Sequence, residues 1–409
     1  MGEVHPSLRW LVDVIWGGTE DVRAVLEGPV PDGYRVVESY AVIPSLARPR
    51  FLVSVESRRS AAASLRRYNS LRPPVVRTAR EAASLLVRAG LGGRVFGGPL
   101  LVCVPGSLPD DRLGSILLVR HLERALGSER VLAAFGVGRQ GPNRKPVAQL
   151  FSLGGRPVAY VKVGWNAFTA GLVRNEALTL RELNGTEEAS LWTPRVMHEG
   201  AWRGLALSAV SPLPRGVSRL RPLRQPPPLQ VTRAVTELGS VSRGSLSASP
   251  YLARLRARIA NLGGDVALPA ERLLARIEGE HGRATLPVGR WHGDWVPWNL
   301  AIRKGHLAAW DWEHSAAHTP VGFDLVHFYT SVAFLHDRLP LPRSLEWGRR
   351  ASLPSLRGLG MDHDAAAAAG RLYAAELYVR FEEAAAAGAG RNPRVYPAIL
   401  GEMAEAAGA

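Results

Sequence analysis

The chain has 409 residues, of which 46% are hydrophobic and 21% are charged. This composition suits one large globular domain or two ordinary ones, and it excludes disordered and fibrous proteins. The single cysteine, Cys103, excludes a disulfide framework and a Cys-rich zinc site. No apolar run reaches the roughly 18 residues of a membrane span, and the first residues lack the order of a signal peptide. We therefore expect a soluble cytoplasmic protein with no membrane contact.

The chain carries a formal net charge of +15. Lysine contributes only Lys145, Lys162 and Lys304, and arginine supplies the other permanent positive charges. A positive field favours anionic partners over polycations. The arginines are scattered and form no recognisable nucleic-acid motif, so nucleic-acid binding is not predicted. In a chain that otherwise uses arginine, a lysine indicates a position that suits a compact ammonium and not the planar guanidinium group.

Residues 1–110 show a mixed α/β pattern without a chemical motif, and we interpret them as an N-terminal accessory region. Short apolar runs predict strands and apolar residues at helical spacing predict helices. The predicted strands of this region are 34–45, 51–55 and 100–104, and its predicted helices are 61–71 and 78–89.

Residues 111–211 predict a sheet-rich lobe, in which Thr169 is the expected N-cap of the second helix. The predicted helices are 111–126 and 169–183, and the predicted strands are 131–135, 146–153, 158–163, 195–199 and 203–210.

Residues 212–229 are rich in proline and arginine, which predicts a linker or an exposed crossover. The third region, 212–409, is predicted to be mostly helical. Within it Tyr373, Leu377 and Phe381 recur every four residues, which predicts one apolar stripe on a late helix.

The strongest chemical signal lies at residues 290–313, which read RWHGDWVPWNLAIRKGHLAAWDWE. Two short predicted strands, 300–302 and 307–310, flank a Lys-Gly turn. A hairpin of this kind would carry Asn299 and Asp311 back toward each other, close to Asp294. Three oxygen-bearing side chains suit a hard divalent cation and a nearby general base. Ordinary turn residues are the alternative, since Asp and Asn favour turns.

The pattern H-G-D-x4-N followed by D-W-E resembles the aminoglycoside phosphotransferase and choline kinase-like family, whose catalytic core is related to protein kinases. The resemblance covers about residues 110–400 and leaves the accessory region outside. It implies an α+β fold with an antiparallel-sheet N-lobe and a helical C-lobe, and nucleotide binding between the lobes. It further implies that Asp294 is the catalytic base and that Asn299 and Asp311 are Mg²⁺ ligands. By the same match His292 props the catalytic loop and Asp324 braces it.

A kinase-like core also needs a lysine on its third strand and a glutamate on the next helix. Lys162 lies in such an apolar strand, and Glu176 follows fourteen residues later in the predicted helix. Their ion pair would hold the ammonium against the α- and β-phosphates. Glu182 is the weaker partner because it falls on another face of the helix. A surface position is the alternative for Lys162.

Gly136, Gly138 and Gly141 spell G-x-G-x-x-G between two predicted strands. A dinucleotide-binding motif would need a helix next, whereas strand–loop–strand is the kinase arrangement, in which backbone N–H groups cover the phosphates. An ordinary glycine-rich hairpin loop is the alternative. The nearby Arg144 and Lys145 are either additional phosphate contacts or solvated side chains.

Three aromatic residues depart from the family pattern. Trp295 directly follows the predicted base and Trp298 directly precedes Asn299, and these two indoles either stack on an acceptor or pack beneath the loop. Tyr160 stands where a kinase strand usually offers a small residue to the adenine, which leaves ATP and GTP both open.

We therefore predict an ATP- or GTP-dependent, Mg²⁺-dependent phosphotransferase that moves the γ-phosphate to a hydroxyl of a small molecule. The high positive charge favours a neutral or anionic sugar, or another small alcohol, over a polycationic antibiotic. A local acidic patch around Glu376, Glu382 and Glu383 would reverse that preference. The alternative function is a catalytically weak pseudokinase that binds nucleotide as a scaffold.

Overall fold

A computed structural model of the protein describes residues 4–26, 28–138, 141, 143–184, 191–389 and 399, without the side chains of residues 94 and 389. Contacts between residues divide the chain into two units. The sheet unit comprises residues up to 140, 144–177 and 194–215, and the helical unit comprises 141–143, 178–193 and 216 onward.

The strands, numbered in chain order, are β1 (Arg23–Val25), β2 (Tyr34–Ile43), β3 (Phe51–Ser54), β4 (Pro99–Pro105), β5 (Val131–Gly136), β6 (Val147–Ser152), β7 (Pro157–Gly164), β8 (Leu191–Trp192), β9 (Val196–Trp202), β10 (Leu205–Val210), β11 (Ser218–Arg219), β12 (Ser242–Ser245), β13 (Thr285–Trp291), β14 (Leu300–Arg303), β15 (His306–Ala309) and β16 (Ala316–Pro320). The helices are α1 (Pro6–Trp16), α2 (Arg58–Arg66), α3 (Pro74–Arg88), α4 (Leu113–Ile116), α5 (Leu118–Ala125), α6 (Ala167–Asn184), α7 (Leu229–Glu237), α8 (Pro250–Leu262), α9 (Gly264–His281), α10 (Phe323–Ser331), α11 (Leu341–Gly358) and α12 (His363–Ala384).

One nine-stranded antiparallel sheet organises the sheet unit, in the order β1-β4-β2-β3-β5-β6-β7-β10-β9. Strand β3 pairs with β5 through Phe51 opposite Gly136 and Leu52 opposite Phe135. This pairing joins the strands of residues 1–110 to those of residues 111–211 in the same sheet. The central strand β5 is a continuous apolar run that is buried from Val131 to Phe135, as expected for a strand covered on both faces.

The predicted helix over 111–126 is interrupted. Leu117 adopts an extended conformation, with φ −112° and ψ 124°, and it separates α4 from α5. Leu117 and Leu118 are both almost completely buried. The apolar spacing that predicts one continuous helix over 111–126 therefore does not show the break at Leu117.

Helix α6 begins earlier than predicted, because Asn166 is its N-cap and Thr169 is not. The Asn166 side chain accepts the N–H of Thr169 at 2.8 Å, and the Thr169 hydroxyl accepts the N–H of Asn166 at 3.2 Å. This reciprocal capping satisfies two N–H groups at the helix start. It fixes the origin of the helix that carries Glu176.

The helical unit is built mainly from α8 to α12 around one apolar core, which includes Tyr251, Phe323 and Tyr373. It also contains a three-stranded sheet in the order β12-β13-β16 and a four-stranded sheet in the order β11-β14-β15-β8. An antiparallel sheet precedes a largely helical part, so the predicted α+β class is confirmed. Within residues 212–229, predicted as a linker, Val217 and Leu220 are buried and anchor the segment.

Among the helices of the described residues, none combines the length and apolar character that a membrane crossing requires.

Candidate active site

The sheet unit pairs the predicted lysine with the predicted glutamate. Lys162 lies on β7, and its Nζ is 2.7 Å from a carboxylate oxygen of Glu176 on α6. The side chains are 16% and 3% exposed, so the ammonium lies at the edge of solvent while the carboxylate is buried. A buried carboxylate that faces a lysine holds the ammonium in one orientation. Glu182, the weaker candidate partner, lies in the part of α6 that belongs to the helical unit. There it forms an ion pair with Arg290 of the same unit.

The glycine-rich segment connects β5 to β6, which are antiparallel neighbours. Gly136 ends β5, and Gly138 has φ +61°, a conformation that suits glycine. Gly141 is described, but residues 139, 140 and 142 lie outside the described part of the chain. The strand–loop–strand order expected of a kinase-like core is therefore present, whereas the path of the loop is not described.

Arg144 supports the structure and does not extend into solvent. Its guanidinium donates to the carbonyl oxygens of Ser7 and Val137, at 2.9 and 3.2 Å. Its Cζ also lies 3.7 Å from the centre of the Trp10 ring. These contacts use the guanidinium to tie α1 to the end of β5, so a phosphate-binding role for Arg144 is not supported.

In the helical unit, Asp324 at the start of α10 braces the loop that follows β13. Its two carboxylate oxygens accept the backbone N–H groups of His292 and Gly293, at 2.7 and 3.0 Å. Burial raises the pKa of Asp324 to about 6, although the two N–H groups act in the opposite direction. Gly293 has φ +84°, and an added Cβ would overlap the carbonyl of His314, so glycine is required here. This is the bracing role that the family resemblance implies for Asp324.

His292 is completely buried and holds the loop from within. Its Nδ1 accepts the N–H of Asp294 at 3.1 Å, so its Nε2 carries the proton and donates to the carbonyl of Trp310 at 3.1 Å. The imidazole packs against Trp295 and Trp312, with ring centres 5.4 and 4.3 Å away. Burial lowers the pKa of His292 to about 4, so the ring is neutral near pH 7.

Two side chains hold the carboxylate of Asp294, which is also partly exposed to solvent. Its Oδ2 accepts from the Asn299 amide at 2.8 Å, and its Oδ1 lies 3.1 Å from Nε2 of His327. The Asp294 side chain is 32% exposed. Burial alone would raise its pKa, but the hydrogen bond from His327 acts in the opposite direction, and the pKa of Asp294 lies below its ordinary value. Asp294 is therefore an ionised, oriented carboxylate that solvent can reach.

The hairpin β14–β15 brings the two predicted metal ligands to one end. Leu300 pairs with Ala309, and the N–H of Trp310 donates to the carbonyl of Asn299 at 3.2 Å. Asp311 follows directly, with φ +71°, and its charge acts to raise the pKa of Asp294, against the larger lowering effect of His327. The hairpin thus produces the convergence that the sequence spacing predicts.

Oxygen atoms dominate this end of the hairpin, as a magnesium site requires. The Asn299 amide nitrogen donates to Asp294, which leaves the amide oxygen as the atom to face a ligand. The carboxylates of Asp311 and Glu313 have oxygen atoms within 4.8 Å of each other. Mg²⁺ prefers hard oxygen ligands and needs few from the protein, so these residues fit the ion. Glu313 belongs to the D-W-E motif, but the motif alone indicates no role for this glutamate.

The two tryptophans beside the base have different environments. Trp295 is fully buried against His292, whereas Trp298 is 41% exposed. Trp295 therefore packs beneath the loop, whereas Trp298 is partly open to solvent and its contact with an acceptor stays a prediction.

The Tyr160 side chain contacts Arg67 and Tyr68 within the sheet unit. Its hydroxyl accepts from Nε of Arg67 at 3.2 Å, and its ring lies 5.0 Å from the ring of Tyr68. The Arg67 guanidinium in turn lies 4.0 Å over the Tyr68 ring. Strand alternation places Tyr160 on the same face of β7 as Lys162.

Three residues around the base were missed from the sequence, and all come from helices late in the chain. His327 on α10 contacts Asp294, and Tyr373 on α12 donates to or accepts from His327 at 2.7 Å. Arg380 on α12 donates to the carbonyl of Gly293 at 2.9 Å. The available signal was that His327 follows Asp324 by three residues on one helix, and such residues share a face.

No protein-family model and no curated protein matches the chain. Solved structures similar to it include a thermostable mutant of aminoglycoside phosphotransferase APH(4)-Ia in ternary complex with ADP and hygromycin B, at 12% identity over 71% of this chain and 99% of that chain, with a TM-score of 0.44. A choline/ethanolamine kinase family protein from Mesorhizobium loti is 15% identical over 65% and 90% of the two chains, with a TM-score of 0.30. A glucosamine kinase is 15% identical over 66% and 72%, with a TM-score of 0.27.

The first two of these structures carry the names of the families that the H-G-D-x4-N motif resembles.

Proposed function

We propose that the protein is a small-molecule kinase that moves the γ-phosphate of ATP or GTP to a hydroxyl group, with Mg²⁺ bound. One observation carries the proposal: Asn299 and His327 orient the carboxylate of Asp294, and the hairpin β14–β15 brings the oxygen atoms of Asn299 and Asp311 to the same loop. A base next to hard oxygen ligands is the arrangement that phosphoryl transfer uses.

Lys162 supplies a second, independent support from the sheet unit. Its ammonium is paired with Glu176 at 2.7 Å and remains at the edge of solvent. A paired lysine of this kind would bind the α- and β-phosphates of the nucleotide. Because arginine is the prevailing cation of this chain, a lysine at this position also indicates a need for a compact charge.

Asp294 would accept the hydroxyl proton of the acceptor during transfer. The acceptor oxygen forms a bond to the γ-phosphorus as the bond from that phosphorus to the β,γ-bridging oxygen breaks, and the nucleoside diphosphate leaves. The proton then passes from Asp294 to water. Asn299 and Asp311 would hold the Mg²⁺, which neutralises phosphate charge when bound.

The acceptor is proposed to be a neutral or anionic sugar or another small alcohol. Among the three acidic residues that would favour a polycation, Glu376 and Glu383 both pair with Arg258, at 2.8 Å in each case, and Glu382 is buried. Glu376 is buried and also accepts from Tyr251 at 3.1 Å. With Glu376 and Glu382 buried and Glu383 paired with Arg258, these residues support no exposed acidic surface for a polycation.

A screen of hydroxyl-bearing acceptors tests the proposal. Release of nucleoside diphosphate would be followed with MgATP and MgGTP, and Asp294→Asn would be the blank. Acceptor-dependent release by the wild type alone supports a kinase. Mg²⁺-dependent nucleotide binding without turnover on any acceptor would instead indicate a pseudokinase scaffold.

A further inference from the structure

We propose that Tyr373 and His327 form a positioning pair, in which the tyrosine hydroxyl selects one imidazole tautomer so that His327 fixes the carboxylate of Asp294. The catalytic meaning of this pair rests on the proposed function, in which Asp294 is the base. The geometry of the pair stands independently of that function.

The three groups form a continuous chain inside the helical unit. Tyr373 is 1% exposed and His327 is 8% exposed. The Tyr373 hydroxyl lies 2.7 Å from Nδ1 of His327, and Nε2 of His327 lies 3.1 Å from Oδ1 of Asp294. The ring of His327 also packs edge-on against Tyr373, with centres 5.9 Å apart. Burial holds the histidine and the tyrosine in this arrangement, so the carboxylate meets a preformed donor.

Hydrogen-bond chemistry determines where the imidazole proton lies. An ionised carboxylate only accepts hydrogen bonds, so Nε2 of His327 must carry a proton that faces Asp294. A neutral imidazole has one N–H, which leaves Nδ1 as an acceptor. The Tyr373 hydroxyl then donates to Nδ1, because two acceptors cannot share a hydrogen bond. The hydroxyl of Ser331, 3.3 Å from Nε2, is a second acceptor for the same proton.

The consequence is that both oxygens of Asp294 are oriented by donors. Asn299 holds Oδ2 and His327 holds Oδ1, while the open edge of the side chain faces solvent. Helix α10 therefore supports the loop twice: Asp324 holds its backbone, and His327 holds the carboxylate. A base held in one rotamer loses less orientational freedom when the acceptor binds.

The first test reads the tautomer directly and needs no activity. Imidazole ¹⁵N NMR of the whole chain would assign His327 by its absence from His327→Gln. We expect a neutral ring with the proton on Nε2 in the wild type, and loss of that single tautomer in Tyr373→Phe. The buried ring of His292 serves as the internal control. A ring protonated on Nδ1, alone or together with Nε2, would overturn the proposal.

The second test separates positioning from folding by kinetics. Gln can present an amide N–H near the position of Nε2, so His327→Gln should retain kcat within a few-fold. His327→Leu should lose about 10- to 100-fold in kcat, the usual effect of losing a hydrogen bond to a charged group, with KM for nucleotide unchanged. Equal kcat for the Gln and Leu variants would contradict the pair.

Tyr373→Phe supplies the coupling measurement. It should lower kcat in the wild type but not in His327→Gln, because an amide needs no tautomer selection. Tyr378→Phe is the matched control, since it removes another hydroxyl of α12, bonded to the carbonyl of Val266 at 2.6 Å. Equal losses in both backgrounds would refute the coupling. A retained tautomer without turnover on any acceptor would refute the proposed function and leave the pair intact.

Discussion

Asp324 accepts the backbone N–H of His292 at 2.7 Å, and this contact ties the first turn of α10 to the loop that carries Asp294. The carboxylate is buried, and its second oxygen accepts from Gly293. A buried carboxylate needs such donors, because an unsatisfied one is costly in the protein interior. The shape of the loop is therefore fixed by the helix before any ligand binds.

Lys162→Met should weaken MgATP binding by about 10- to 100-fold, because the variant loses charge-assisted hydrogen bonds to phosphate. Glu176→Gln should weaken binding less, since it releases the ammonium without removing it. Isothermal titration calorimetry would measure both. Lys304→Met, in the turn between β14 and β15, is the control and should bind like the wild type. Unchanged affinity in Lys162→Met would remove this lysine from the nucleotide site.

Asp311→Ala should abolish phosphate transfer and remove most of the Mg²⁺ dependence of nucleotide binding, because Asp311 would bridge metal and phosphates. Calorimetry with ATP, with and without Mg²⁺, measures the difference. Asp265→Ala, an exposed carboxylate in the first turn of α9, is the matched control. If Asp311→Ala and the wild type respond equally to Mg²⁺, Asp311 is not a metal ligand.

Trp298→Ala should raise KM for the acceptor several-fold and leave MgATP affinity unchanged, because its exposed indole lies within the loop of the base. Trp295→Ala should instead lower the melting temperature, as expected for removing a fully buried indole. Steady-state kinetics and thermal melts distinguish the two. Trp347→Ala, which removes another exposed indole of the helical unit, is the control. An unchanged acceptor KM in Trp298→Ala would exclude an acceptor contact.

Glu38→Gln should stabilise the protein at pH 8 much more than at pH 5. Trp16 and Tyr40 both donate to one oxygen of Glu38, at 3.0 Å, and burial raises its pKa from 4.5 to about 7. The folded state therefore favours the protonated form, and this contribution to stability is complete below pH 4.5 and is lost as the pH rises through about 7.

At pH 8 the wild type thus carries a penalty on the order of 3 kcal/mol that the amide avoids. Urea unfolding of both proteins at the two pH values measures the difference. Glu129→Gln is the control, because this exposed residue should show the same small effect at each pH. A destabilised Glu38→Gln at pH 8 would mean that the carboxylate is ionised and compensated in the fold.

Local signals predicted the parts of the site that lie close together in sequence. The hairpin that carries Asn299 and Asp311 and the strand of Lys162 follow from short patterns, and each is present. The partners of Asp294 come from more distant helices, where periodicity alone assigned Tyr373 to an apolar stripe. Its ring is buried as predicted, but its hydroxyl contacts His327, which no spacing rule indicates.

The fold departs from prediction where long-range burial overrides local preference. Leu117 is extended and separates α4 from α5, and both Leu117 and Leu118 are buried. The pairing of β3 with β5 joins segments about eighty residues apart, and nothing in either strand specifies that partner. Such pairings depend on which edges remain open after the neighbouring strands have assembled, and local patterns do not contain that information.

The central claim is that Asp294 is the base of a phosphotransferase, and Asp294→Asn tests it most directly. The amide preserves the shape of the side chain but cannot take a proton from the acceptor. Melting temperature, MgATP affinity and acceptor-dependent turnover would be measured on the same preparation. We expect an unchanged fold, a modest change in nucleotide affinity and a turnover lower by at least about 10²–10⁴-fold. Retained turnover together with a lowered melting temperature would contradict the assignment and make Asp294 a structural residue.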